Sequence, residues 1–263
     1  KLTALSHIIV ITAKIISPHM KKILASLLLA LMAVTVSAAE RSLSLKGTVS
    51  ALRVSAGVDV TYIPDTLRAR VLITGPAKNI TNVKVTLRKG VLHIYGESDT
   101  KQSLLSFFGL GEGHPLKDVK VTLYAPHVAR MSTSSSAELE VPAPVNVPGQ
   151  DAEITASSGS DISIEWLTCG SLQCNTNSGA DIDIDILTTK TAAFDTSSGS
   201  DIDIDAITAD ALTATANSGG DISIAGAANT ATVKASSGGS INVRKLSCPA
   251  ITTDKSTGGT IKK

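Results

Sequence analysis

The chain has 263 residues, of which 43% are hydrophobic, 3% aromatic and 18% charged, with 20 glycines, three cysteines and a formal net charge of +1. Such a chain buries a sizeable core in one or two domains and is not wholly disordered. Its near-neutral total also argues against a nucleic-acid binder, which needs clustered Lys and Arg in excess to neutralise phosphates. The total conceals a split. Residues 40–131 carry thirteen basic and seven acidic side chains, a net of +6, whereas residues 151–233 carry thirteen acidic side chains and one basic, Lys190, a net of −12. A separation of that kind either steers partners and aligns copies of the chain, or marks a solvated acidic face without a partner.

Taken in chain order, Met20-Lys21-Lys22 opens an apolar-rich run over 23–36 that closes on the small residues Ser37, Ala38 and Ala39. This predicts a secretory signal peptide over 20–38, cleaved after Ala38 or Ala39, a mature chain starting near Glu40, and export to the periplasm, the outer-membrane surface or the medium. Residues 1–19 lack an initial Met and precede a complete leader, so they read as an over-extended N-terminus. The runs 8–16 and 23–36 each fall short of the roughly 20 residues of a membrane span, and no later stretch comes closer. No cysteine stands at the cleavage site to carry a lipid anchor.

The stretches 49–63, 69–74, 83–87, 91–95 and 119–124 read as strands bounded by Gly, Pro or Asn, and are expected to form irregular first turns over 46–131. Between them, 101–117 is a loop holding Leu104, Leu105, Phe107, Phe108 and Leu110.

From residue 133 to 261 the sequence repeats. Ser158-Gly-Ser-Asp-Ile-Ser-Ile164, Ser178-Gly-Ala-Asp-Ile-Asp-Ile184, Ser198-Gly-Ser-Asp-Ile-Asp-Ile204 and Ser218-Gly-Gly-Asp-Ile-Ser-Ile224 stand 20 residues apart, followed by weaker copies at Ser237 and Thr257 and preceded by a degenerate one at Ser136. Within each copy the isoleucines alternate with polar residues, the period of a half-buried strand. A second alternating run precedes each glycine, for example Leu172/Cys174/Thr176 and Ala192/Phe194/Thr196. Each repeat thus supplies two short strands and a tight turn in which Gly takes positive φ. A unit of that size buries its apolar face only by stacking on its neighbours, with equivalent strands parallel and about 4.8 Å apart. The expectation is an all-β parallel β-helix with turns of about 20 residues, a single domain over 40–263.

The segment Leu52-Arg-Val-Ser-Ala-Gly-Val-Asp-Val-Thr-Tyr-Ile63, then Gly90-Val-Leu-His-Ile-Tyr95, then the serial Ser-Gly-x-Asp-Ile-x-Ile copies resemble the head GIN domain of auto-transporter adhesins over roughly residues 46–250. The resemblance implies a right-handed β-helix in a secreted bacterial protein, a role in adhesion, and no catalytic residues. The apolar insertion 101–117 departs from the family pattern.

Stacking places outward residues in columns: Asp161, Asp181, Asp201 and Asp221 in one, Ser163, Asp183, Asp203 and Ser223 in the next, and Glu165, Asp185, Asp205, Ala225 and Arg244 in a third. Carboxylates so close repel one another, and a hard cation with oxygen ligands would relieve them. Asp181, Asp183, Asp201 and Asp203 are therefore candidate Ca²⁺ ligands, the alternative being a hydrated, screened ladder that also discourages edge-to-edge aggregation. The 20-residue spacing does not match the nine-residue repeat of calcium-binding β-helices, and no other cofactor is indicated.

Cys174 shares an inward column with Ile154, Phe194, Ala214 and Val233 and reads as a core residue. Cys169 and Cys248 fall in equivalent corners four turns apart, roughly 19 Å, too far to pair. A Cys169–Cys174 bridge stays open. His93, His114 and His127 lack the spacing of a metal or nucleophile motif.

The expected function is binding or adhesion through the β-helix surface, without catalysis, to a cell-surface glycan or protein. A polysaccharide lyase or hydrolase is the first alternative, with Asp183 and Asp203 imitating a glycosidase pair; a self-assembling structural solenoid, and hence a homo-oligomer, is the second. Phe107 and Phe108 are candidate partner contacts, or else part of a cap over the solenoid.

Overall fold

The alternating pattern of the repeats becomes strand after strand in the computed structural model, which describes residues 38–65, 68–97 and 116–263. The predicted leader up to residue 37, and the loop residues Phe107 and Phe108, lie outside the described residues. The strands are β1 (Ala38–Ser44), β2 (Ala51–Ser55), β3 (Asp59–Pro64), β4 (Arg70–Pro76), β5 (Val83–Arg88), β6 (Val91–Gly96), β7 (Lys120–Ala125), β8 (Arg130–Ser134) and β9 (Glu138–Val141). Then come β10 (Val145–Ser157), β11 (Asp161–Asn177), β12 (Asp181–Thr188), β13 (Thr191–Ser197), β14 (Asp201–Ala216), β15 (Asp221–Ala235), β16 (Ser240–Ser247), β17 (Ala250–Lys255) and β18 (Thr260–Lys262). One short helix, α1 (Ala77–Ile80), precedes β5. Together they make a β-solenoid of about 7 turns.

From β8 onward every pairing is parallel, with Ile162, Ile182, Ile202, Ile222 and Ile241 in one inward file. Each regular turn has three flat segments rather than two strands. In β11 the buried positions are Ile162 and Ile164, then Leu167 and Cys169, then Leu172, Cys174 and Thr176. The alternation breaks at Glu165-Trp166 and again at Gly170-Ser171, where two consecutive residues escape burial and the chain turns a corner. A bent strand of 17 residues results.

The third corner is the Ser-Gly turn, where both residues take positive φ: Ser158 and Gly159 at 59° and 63°, Ser178 and Gly179 at 60° and 67°, Ser198 and Gly199 at 62° and 65°. The sequence predicts positive φ at the glycine alone, and the serine before it shares that conformation. A serine there costs on the order of 1 kcal/mol. Two of these turns gain a further tie from the residue after the glycine: the Ser160 hydroxyl donates to the Ser157 carbonyl at 2.8 Å and accepts from its N–H at 3.1 Å, and Ser200 does the same to Ser197.

The first turns are less regular, as expected, but not wholly parallel. β1 and β7 both flank β4 antiparallel, and β5 and β6 form an antiparallel pair. The predicted strand 49–63 is broken by Ala56-Gly57, both at positive φ, into β2 and β3. These two hand over to the regular stack in parallel, β2 to β8 and β3 to β9.

One core runs through the described residues. Its inward file Ile154, Cys174, Phe194, Ala214 and Val233 is in register as read from the sequence, with the large Phe194 beside the small Ala214. All three cysteines are free, so the Cys169–Cys174 bridge is not formed. Buried polar groups find partners: Tyr62 Oη donates to the Pro126 carbonyl at 2.7 Å, and Thr196 Oγ1 donates to the Ser200 carbonyl at 2.6 Å.

Candidate binding surface

The sheet formed by β3, β9, the first segment of β11, β12 and the first segments of β14 and β15 presents the acidic columns. Strict register puts Asp161, Asp181, Asp201 and Asp221 in single file. The file is longer than the repeats alone indicate, because Glu138 pairs with Asp161 and Asp59 pairs with Glu138. Beside it run Thr61, Glu140, Ser163, Asp183, Asp203, Ser223 and Asn242. Thr61 Oγ1 donates to Glu140 Oε2 at 3.3 Å, and the Asp201 N–H donates to Asp181 Oδ1 at 3.2 Å.

Crowding like charges raises carboxyl pKa values, because a nearby anion and loss of water both disfavour the ionised form. Asp183 is pushed up to about 6, first by burial and then by Asp203, Asp181, Asp205 and Asp161. Burial, followed by neighbouring acids, also raises Glu138, Asp161, Asp201 and Asp203. The four candidate Ca²⁺ ligands occupy two neighbouring files on β12 and β14. Among the described residues no group of three or more His, Cys, Asp and Glu is arranged to hold a metal ion.

The third acidic file follows the first corner through Glu165, Asp185 and Asp205. Arg244 does not continue it: the register shifts between Ser223 and Ala225, and Ala225 faces Lys245. The cause is the 19-residue turn beginning at Asp221, one residue short. Gly226 absorbs part of the mismatch at φ +116°, where a Cβ would clash with the Ile207 carbonyl oxygen.

Next to this file the corner carries Trp166, Ile186 and Ala206 in register. The chain's single tryptophan is 45% exposed and Ile186 38% exposed. Sequence reading did not single them out. The available signal was the pair of consecutive outward positions, 165–166 and 185–186, set between inward Ile and Leu.

Of the three histidines, His93 and His127 make hydrogen bonds within the fold, and His114 lies outside the described residues. His93 Nε2 lies 2.8 Å from Ser55 Oγ, and burial together with Arg53 lowers its pKa. His127 Nδ1 accepts the Asn146 N–H at 3.1 Å. Grooves in the surface are open. One of about 650 Å³ combines Asp59, Glu138 and Glu140 with Lys117 and Lys120. Another of about 280 Å³ is lined by Arg53, Val91 and Arg130. Asp183 and Asp203 are neighbours in a file set by the repeat, and their surroundings suit hydrogen bonding to a ligand and attraction of cations.

A family model described as "Putative auto-transporter adhesin, head GIN domain" matches residues 49–197 and 175–262. A search of curated proteins finds no match. Among solved structures, a "putative adhesin" from Bacteroides fragilis is similar at a TM-score of 0.67 and 20% identity, covering 86% of this chain and 96% of that one. A second from Parabacteroides distasonis gives 0.67 and 18% over the same shares. A "putative lipid binding protein" from Parabacteroides distasonis gives 0.57 and 15%, again over 86% and 96%. At these identities the likeness is one of fold.

Proposed function

We infer that this chain, which belongs to the auto-transporter adhesin head GIN domain family, is a non-catalytic binding protein of the bacterial cell surface. The family implies a surface or exported protein. The reading assigns the leader 20–38 to export, leaving Glu40–Ser44 of β1 to pair with β4, and it takes the ligand to be a glycan or protein of a cell surface. No helix among the described residues is long and apolar enough to cross a membrane.

The observation that carries the reading is the serial order of the outward side chains. The carboxylates recur strand by strand along β9, β11, β12, β14 and β15. A catalytic site concentrates unlike groups at one point, whereas a repeated ladder offers many equal contacts to an extended partner. The test is binding of the purified protein to intact cells and to glycan arrays, alongside turnover assays on uronic-acid polymers. Saturable binding without turnover supports the reading; turnover abolished by Asp183→Asn or Asp203→Asn would establish an enzyme instead.

A further inference from the structure

Three large hydrophobic side chains stand exposed among the described residues, and their surroundings carry opposite charge. Trp166 and Ile186 project from the first corner beside Glu165, Asp185 and Asp205. On the preceding turn Pro144 is exposed at the same corner, between Val141, which pairs with Ile164, and Val145, which pairs with Leu167. Val91, 37% exposed, lies instead on β6 with Arg88 as its partner on β5 and Ala51 as its partner on β2. It shares a groove of about 280 Å³ with the exposed Arg53 and Arg130. Glu153, opposite Arg130 in the register, is the groove's carboxylate.

We propose that these two patches bind each other between copies of this chain, Trp166 of one copy entering the Arg53/Val91/Arg130 groove of the next. An indole is the best aromatic partner for a guanidinium, and a buried Trp side chain contributes on the order of 200 Å² of contact. The carboxylates flanking Trp166 meet Arg53, Arg88 and Arg130, so both apolar burial and charge favour the same arrangement. The patches belong to different strands and different faces of one copy. The contact is therefore heterologous, and it propagates head to tail. This inference is independent of the adhesive ligand.

Sedimentation velocity of the purified protein from about 5 to about 500 μM, a range that brackets micromolar dissociation constants, tests it. The single tryptophan gives a second readout, a blue shift of its emission as concentration rises. The expected result is concentration-dependent growth in mass that weakens at least tenfold in about 0.5 M NaCl. Trp166→Ala and Arg53→Glu each leave the protein monomeric. An equimolar mixture of the two variants forms a two-chain species and nothing larger, because only one intact pair of patches remains. Circular dichroism checks that both variants are folded, with Arg53→Gln replacing Arg53→Glu if the latter is not. Wild-type protein monomeric throughout, Trp166→Ala assembling like wild type, or a mixture of folded variants that stays monomeric would each overturn the proposal.

Discussion

Replacing Asp183 by Asn removes one charge from the most crowded part of the ladder. In the folded chain the Asp183 carboxyl is pushed from its ordinary 3.8 to about 6, by burial first and by Asp203, Asp181, Asp205 and Asp161 after it. Between about pH 4 and pH 6 the folded state therefore holds a proton that the unfolded state has lost. Folding stability falls as pH rises through that window, is unpenalised below it, and carries the full penalty above it. At full weight the difference corresponds to ~3 kcal/mol. Asp183 remains open to solvent, so screening reduces this to about 1 kcal/mol. Asp183→Asn should thus raise stability by about 1 kcal/mol at pH 7.5, roughly 2–4 °C in Tm for a domain of this size, and leave it unchanged at pH 3.5. Urea unfolding followed by circular dichroism at both pH values measures this. A variant no more stable than wild type at pH 7.5, or a wild type that gains stability from pH 4 to pH 6, would refute the reasoning.

Other consequences follow from the packing and the ladder. Phe194→Ala empties a fully buried position between Cys174 and Ala214 and should cost about 3–5 kcal/mol in urea unfolding. Thiol reagents should modify Cys248 in the native protein and reach Cys174 only on unfolding, because Cys174 is fully buried and its thiol pKa is pushed up by burial and by Asp195; mass spectrometry after timed labelling reads the order. If Asp181, Asp183, Asp201 and Asp203 hold Ca²⁺, millimolar CaCl₂ raises Tm beyond the effect of NaCl at equal ionic strength and Asp183→Asn abolishes the difference. Equal effects of the two salts show a screened ladder.

The repeats declared their own structure because two periods coincide in them. A period of 2 set Ile162, Ile164 and their equivalents inward, and a period of 20 stacked them, so the inward files and most of the acidic files followed directly. What escaped was set by pairing across long separations or by a change in period. Asp59 joins the ladder through β3, 79 residues before its partner Glu138, and no local pattern announces that. The antiparallel pairings of β1, β4 and β7 arise in the irregular first turns, where there is no repeat to fix a register. The 19-residue turn displaced Lys245 into the place expected for Arg244. Trp166 was overlooked because an aromatic beside an isoleucine run reads as core, whereas a corner exposes two consecutive residues. The positive φ of the serine in each Ser-Gly turn escaped because local pattern points to the glycine; Ser178 takes it with Ala180 after the glycine just as Ser158 and Ser198 do with Ser160 and Ser200.

We propose a surface that binds its partner rather than transforming it. Its most direct test is equilibrium binding of the purified, fluorescently labelled protein to intact cells, with soluble products assayed in the same samples. Saturable binding at micromolar concentration or tighter, competed by unlabelled protein, with the cell-surface polymers unchanged, is the expected result. Non-saturable binding, or release of cleaved polysaccharide, would contradict it.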